Sequence, residues 1–274
     1  MPQQKRSIRA LGRLLFAGLP LLLVQSHALH AGWKKSCEDW ATFASGDIEL
    51  NNNTWGRQNE WHYQQCIYQN REQPQRMGWE WKWPQHKEGV KAYPSLMYGH
   101  KPWNRQSTTT ALPRRLDQLQ NIQVNFSTQM QYSGSVNLLL EAWLTDSAKP
   151  QPADRTSEIA IHLMQHQWPG QGGDYHDSVV IDGHAFDVYI NHHMTVPGDP
   201  HTWSYLSFVN TGKPLLRGRI NLKAFLDYLL AQGMIVPSEY LTSVELGNEI
   251  EYGEGESRVD YFRVHTQDKP QSLL

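Results

Sequence analysis

A chain of 274 residues is long enough for one sizeable core and too short for two full domains once a removable leader is set aside. Its 25 Lys and Arg stand against 27 Asp and Glu for a formal charge of -2, and no basic run crosses the body of the chain, so nucleic acid is not expected as a partner. The 11 Trp and 12 Tyr exceed what one core needs; exposed indoles stack on flat apolar faces such as sugar rings, although for any one of them a place in a Trp-rich sandwich core is the favoured reading.

At the N-terminus, Lys5, Arg6, Arg9 and Arg13 precede an apolar run from Leu14 to Val24, followed by small residues at Ser26, Ala28 and Ala31. A charged region, an apolar stretch too short to span a bilayer and a cleavage zone read as a signal peptide over residues 1–31. Residues 32–274 then form one exported domain, periplasmic or secreted, with no membrane attachment after the leader is removed. In an oxidising compartment Cys37 and Cys66 are expected to pair, and two cysteines at that spacing supply too few ligands for zinc.

Further along, turn signals come often, among them SGD at 45–47, SGS at 133–135, PGQGGD at 169–174 and PGD at 197–199. Between them lie short alternating runs such as NIQVNF, SVNLLLEAWL, EIAIHLM, FDVYIN, YLSFVN and SRVDYFRV. The pattern predicts an all-β antiparallel sandwich or barrel. On the strand holding Glu141, Leu139 and Trp143 share its face, so a carboxyl there needs a partner or a proton; a rim glutamate at a strand edge is the plainer alternative. On the next strand Ile159, Ile161 and Leu163 form the core face, while Glu158, Ala160, His162 and Met164 share the other, which is either solvent or a concave groove.

One segment breaks the β rule. In NLKAFLDYLLAQG, Leu222, Phe225, Leu226 and Leu229 fall at helical spacing, with Asn221 placed to cap the start and Gly233 to end it. This predicts a single amphipathic helix packed on the outside of a sheet. After it comes SVELGNEIEYGEG, where Glu245, Gly247, Glu249 and Glu251 share one face, and Gly247 leaves space beside Glu249 for a ring to approach the backbone. The 13 His suggest a metal, but His162 and His166 lie on a strand pattern without H-E-x-x-H, so no metal or other cofactor is expected. Phosphate loops and nucleophile elbows are absent as well.

The segments CEDWATF at 37–43 and NNTWG at 52–56 resemble the opening of glycoside hydrolase family 12, the small jelly-roll endoglucanases and xyloglucanases. In the family's order, SEIAIHLM is similar to its nucleophile strand, YLSFVN to its middle strand, INLKAFLDYL to its lone helix and LGNEIEYGEG to its acid/base strand. The resemblance implies a jelly roll with a concave substrate cleft. It implies Glu158 as nucleophile, Glu249 as acid/base and Glu141 where the family has an Asp bonded to the nucleophile. Trp40, Asn53 and Trp55 fall on cleft-lining positions, and Cys37 matches a half-cystine whose partner is expected near Cys66. Trp103, beside YGHKP, is read as a further stacking platform.

Two departures from the family bear on substrate binding. His162 and Ala160 stand where the family commonly carries Trp and Met, which implies a wider and more polar cleft near Glu158. Glu251 replaces an aromatic residue and, when ionised, raises the proton affinity of Glu249. The expected protein is a monomeric retaining endo-β-1,4-glucanase acting on β-glucan chains. The alternative is a non-catalytic carbohydrate-binding protein on the same fold, against which stands the presence of both Glu158 and Glu249. No Ser/Pro-rich linker or anchoring module is seen, which favours soluble or amorphous substrates.

Overall fold

The computed structural model describes residues 32–85, 89–195 and 198–268; the predicted leader lies outside them. Two curled sheets pack face to face. The smaller runs in the order β1 (Trp33–Ser36), β4 (Gln64–Asn70), β5 (Met77–Trp83), β16 (Ile250–Asp268), β8 (Leu119–Tyr132) and β14 (Arg217–Asn221). The larger runs β2 (Thr42–Ser45), β3 (Ile48–Asn51), β6 (Ser95–Gly99), β15 (Tyr240–Gly247), β9 (Ser135–Thr145), β10 (Arg155–His166), β13 (Trp203–Asn210), β12 (His184–Met194) and β11 (Asp174–Ile181), with β7 (Arg114–Arg115) on the end of β15. Strand β16 ties the two together, pairing with β5 and β8 and, through Ile250 and Tyr252, with β9.

The sandwich is antiparallel but for β10 and β13, which run parallel with Glu158 opposite Tyr205. Parallel neighbours need a long connection, and the β11–β12 hairpin supplies it. Alternation sets the faces. On β10, Ile159, Ile161 and Leu163 enter the core between the sheets, where Leu138, Leu140, Val244 and Leu246 meet Trp79, Val124, Phe126 and Val259. A register shift between His162 and Met164 turns Met164 into that core too, off the Glu158 face on which simple alternation put it.

The helix α1 (Leu222–Ala231) buries Leu222, Phe225, Leu226 and Leu229 as the spacing predicts. Phe225 meets Phe186 of β12 and Phe208 of β13 edge-on, with ring centroids 5.1 and 5.0 Å away, so the helix covers the convex face of the larger sheet and leaves the concave face open. Gly233, with φ +69°, ends it. Asn221 holds the N-cap position without a side-chain capping bond; its backbone N–H instead donates to Asp182 at 3.0 Å. No helix of the described residues is long and apolar enough to cross a membrane.

Candidate active site

The concave face of the larger sheet forms a cleft of about 560 Å³. Register fixes its floor. On β9, Glu141 lies across from Glu245 of β15 on one side and Ala160 of β10 on the other, while Trp143 lies across from Glu158. Beyond β15 the chain leaves regular pairing at Asn248 and Glu249, and Asn137 of β9 takes up the loose end. Its backbone N–H donates to the Glu249 carbonyl at 3.1 Å, its Oδ1 accepts from the Glu249 N–H at 2.9 Å and its Nδ2 donates to Glu249 Oε2 at 2.6 Å.

Five carboxyls, of Glu141, Glu158, Glu245, Glu249 and Glu251, share this side of the sheet with the buried ammonium of Lys101 and the guanidinium of Arg155, the latter paired with Asp199. Lys101 Nζ lies 2.6 Å from Glu245 and 3.6 Å from Glu141. Burial works to lower the Lys101 ammonium, but the two glutamates outweigh it and leave it above its ordinary value. Glu245 is pushed up to about 7 by burial, with Lys101 pulling the other way. Burial, then Glu141, drives Glu158 well above the usual carboxylate range, while Trp203, whose Nε1 donates to its Oε2 at 2.8 Å, opposes the shift. Glu249 is pushed up to about 7 by burial, opposed by the Asn137 bond and reinforced by Glu141 and Glu251. Burial therefore raises the proton affinity of Glu158, Glu245 and Glu249 more than Lys101 lowers it.

The walls are aromatic. Trp40, Trp55 and Trp103, exposed by 49, 47 and 42 %, line the cleft together with Trp143, Trp168 and Trp203. Trp40 stands at φ 63°, in the left-handed region that costs a bulky residue energy, so its backbone is held there by the surrounding structure. Behind it, the buried Gln65 donates to Asn52 Oδ1 at 3.1 Å and to the Asn53 carbonyl at 3.2 Å, and accepts from Trp83 at 3.0 Å. Asn53 in turn accepts from the Trp55 N–H at 3.0 Å. The Cys37–Cys66 disulfide closes the same corner. Two lining groups, the Tyr93 hydroxyl and the Trp143 indole N–H, are buried with no hydrogen-bond partner among the described residues.

A family model described as glycosyl hydrolase family 12 matches residues 46–266. The chain belongs to glycosyl hydrolase family 12. It is 30% identical over 253 residues to endoglucanase S of Pectobacterium parmentieri, covering 92% of this chain and 94% of that one. The native family 12 xyloglucanase of Bacillus licheniformis superposes with TM-score 0.78 at 27% identity, over 85% of this chain and 100% of that one. Endoglucanase cel12A of Rhodothermus marinus, at 24% identity and TM-score 0.71 over 86% and 100% of the two chains, shares the fold. The chain is thus a glycoside hydrolase of an endoglucanase and xyloglucanase family.

Set against the family 12 pattern read from the sequence, Glu141, Glu158, Glu249, Glu251, Trp40, Asn53, Trp55 and Trp103 all line the cleft, and His162 does not. His162 is buried beneath the floor, and Ala160 is covered by Tyr93, Leu139 and Tyr205. His162 and Ala160 therefore form no wall of the cleft near Glu158, because tyrosines cover them. The space beside Gly247 is also taken. A Cβ there would lie 2.6 Å from the Pro94 carbonyl and 2.8 Å from the Tyr93 ring, so the glycine admits the neighbouring strand rather than a sugar. Glu141 finds its partner in Lys101. Sequence reasoning missed Lys101, Asn137, Trp203 and Tyr205. Asn137 shares strand parity with Glu141, and Tyr205 shares it with Trp203, so alternation carried a signal for those three; Lys101 lies outside any strand run.

Proposed function

We propose that the chain is a retaining endo-β-1,4-glucanase in which Glu158 attacks the anomeric carbon and Glu249 serves first as acid and then as base. The observation that carries this reading is the matched tethering of the two carboxyls. Trp203 occupies Oε2 of Glu158 and Asn137 occupies Oε2 of Glu249, and both donors are N–H groups. Each carboxyl keeps its Oε1 for the reacting bond, and the proton of a neutral Glu249 is favoured on that oxygen because the carbonyl oxygen is the better acceptor for the amide N–H.

In the first step the ionised form of Glu158, with Glu249 still protonated, bonds through Oε1 to the anomeric carbon as the glycosidic C–O bond breaks, and the departing oxygen takes the proton from Glu249. In the second, Glu249 takes a proton from water, whose oxygen displaces Glu158 and restores the original anomeric configuration. Glu141, held by Lys101, flanks the nucleophile and keeps its carboxyl in place. Trp40, Trp55 and Trp103 provide stacking faces for the glucan chain. Residues 1–31 act as an export leader, residues 32–274 work as a monomeric catalytic unit, and the disulfide supports an oxidising destination.

The test is reducing-end release from soluble unbranched, mixed-linkage and xyloglucan chains, with product configuration followed by NMR. Glu158→Gln and Glu249→Gln are expected to lose nearly all rate while staying folded, and the first product is expected in the β configuration. An α product would replace the nucleophile role of Glu158 with that of a base acting on water.

A further inference from the structure

His162 joins the two sides of the site from below. Its Nδ1 lies 3.3 Å from Asn137 Nδ2, and its Nε2 lies 3.1 Å from the Tyr205 hydroxyl. Chemistry fixes where the hydrogens are. The backbone N–H of Glu249 can only donate, so the Asn137 atom 2.9 Å from it is the amide oxygen. The amide nitrogen therefore faces Glu249 Oε2 on one side and His162 Nδ1 on the other, with one hydrogen for each. His162 Nδ1 must then carry a lone pair, which leaves the ring hydrogen on Nε2, directed to the Tyr205 oxygen. Burial also holds the ring neutral, pushing its pKa down to about 3.

We propose that His162 is a positioning residue for Glu249: held as the Nε2–H tautomer by Tyr205, it pins the Asn137 amide and, through it, the carboxyl oxygen of Glu249 that does not react. The proposal rests on the acid/base reading of Glu249. Without an acceptor at Nδ1, one amide hydrogen of Asn137 loses its partner and the side chain loses a point of attachment. The grip on Glu249 Oε2 loosens, and the proton is no longer favoured on the oxygen that faces the glycosidic bond. The ionisable groups around Glu249 are Glu141 of β9, Glu158 of β10, Glu251 of β16, Lys101 after β6, Tyr93 before β6 and Tyr205 of β13. All are retained in a His162 variant, so a change in the proton affinity of Glu249 reports on Asn137.

The experiment compares His162→Asn, His162→Gln and His162→Phe in kcat, KM, pH-rate profile and melting temperature. An Asn amide places its oxygen near the position of Nδ1, whereas a Gln amide reaches only to Nε2. His162→Gln and His162→Phe are expected to lose about tenfold in kcat, the effect of one hydrogen bond, with KM steady and the basic limb moved to higher pH. His162→Asn is expected to retain most of kcat and the parent limb. Equal losses in Asn and Gln variants, or losses that only follow the melting temperature, overturn the proposal. If His162→Asn or His162→Phe does not fold, His162→Gln decides: folded with kcat and limb unchanged, it overturns the proposal, and with both changed at steady KM it upholds it. Glu249→Gln in the same assay separates the two claims. Loss of rate there beside unchanged His162 variants removes the relay alone, whereas cutting at the parent rate removes the carboxyl assignment and the relay with it.

Discussion

Lys101 and Glu245 form a buried ion pair at the cleft floor, Nζ to Oε2 2.6 Å, with both side chains almost fully shielded from solvent. Removing one partner of such a pair leaves an uncompensated charge. Lys101→Met is expected to destabilise the fold by about 3–5 kcal/mol, measured by urea denaturation. The double variant Lys101→Met with Glu245→Gln is expected to recover much of that loss, since it leaves no lone charge at that pair.

Stability is expected to fall as pH rises. Glu158, Glu245 and Glu249 all hold protons more tightly in the folded chain than the ordinary value of 4.5, the latter two up to about 7. The folded state then binds more protons than the unfolded state between those values, so its advantage is complete below about pH 4.5 and is lost as pH passes about 7. Denaturation midpoints between pH 4.5 and 8 check this, and Glu249→Gln is expected to flatten the slope.

Activity should respond to Glu251 in the opposite sense to His162. Its carboxylate, bonded by Ser135 at 2.7 Å, adds to the upward push on Glu249. Glu251→Gln removes that push, and the basic limb of kcat/KM is expected to move to lower pH by less than the shift due to burial. A limb that does not move would mean that solvent screens the carboxylate.

The unpartnered Tyr93 hydroxyl separates binding from folding. Its replacement removes a buried polar group that no described protein atom satisfies, so Tyr93→Phe is expected to keep or slightly raise the melting temperature. If the hydroxyl meets a sugar, kcat/KM falls about tenfold in the same variant. Loss of both would place its partner in the protein.

The disulfide closes 29 residues of chain, and Cys37→Ser with Cys66→Ser is expected to cost about 3.5 kcal/mol in the chain-entropy model. The corner it closes carries Trp40 and Trp55, so KM is expected to rise before kcat falls. Denaturation and steady-state kinetics on the same sample check both.

Local pattern carried the strands, the lone helix and the face on which Glu158 stands, because side-chain parity and helical spacing are properties of a few neighbouring residues. Whether that face meets solvent or a groove depends on how far the sheet curls, which no single strand reveals. Lys101 was invisible for a related reason. It sits in an irregular segment, and its closeness to Glu245 follows from the pairing of β6 with β15 far along the chain. Parity put His162 on the face of Glu158, but parity says nothing of what lies above it, and Tyr205 from β13 covers it there, so it does not line the cleft. Asn221 carried a capping signal that its neighbourhood does not use.

Because β16 joins both sheets and Glu249 sits at its threshold, the site has a place in time as well as in space. Trp40 is among the first contributions to the cleft and Glu249 and Glu251 the last, so nearly the whole described chain must be threaded before acid and nucleophile meet. Pairings of such long sequence separation form slowly. A partly folded chain can hold much of its hairpin structure and still lack an acid, which makes the onset of catalysis a marker that the last strand has docked.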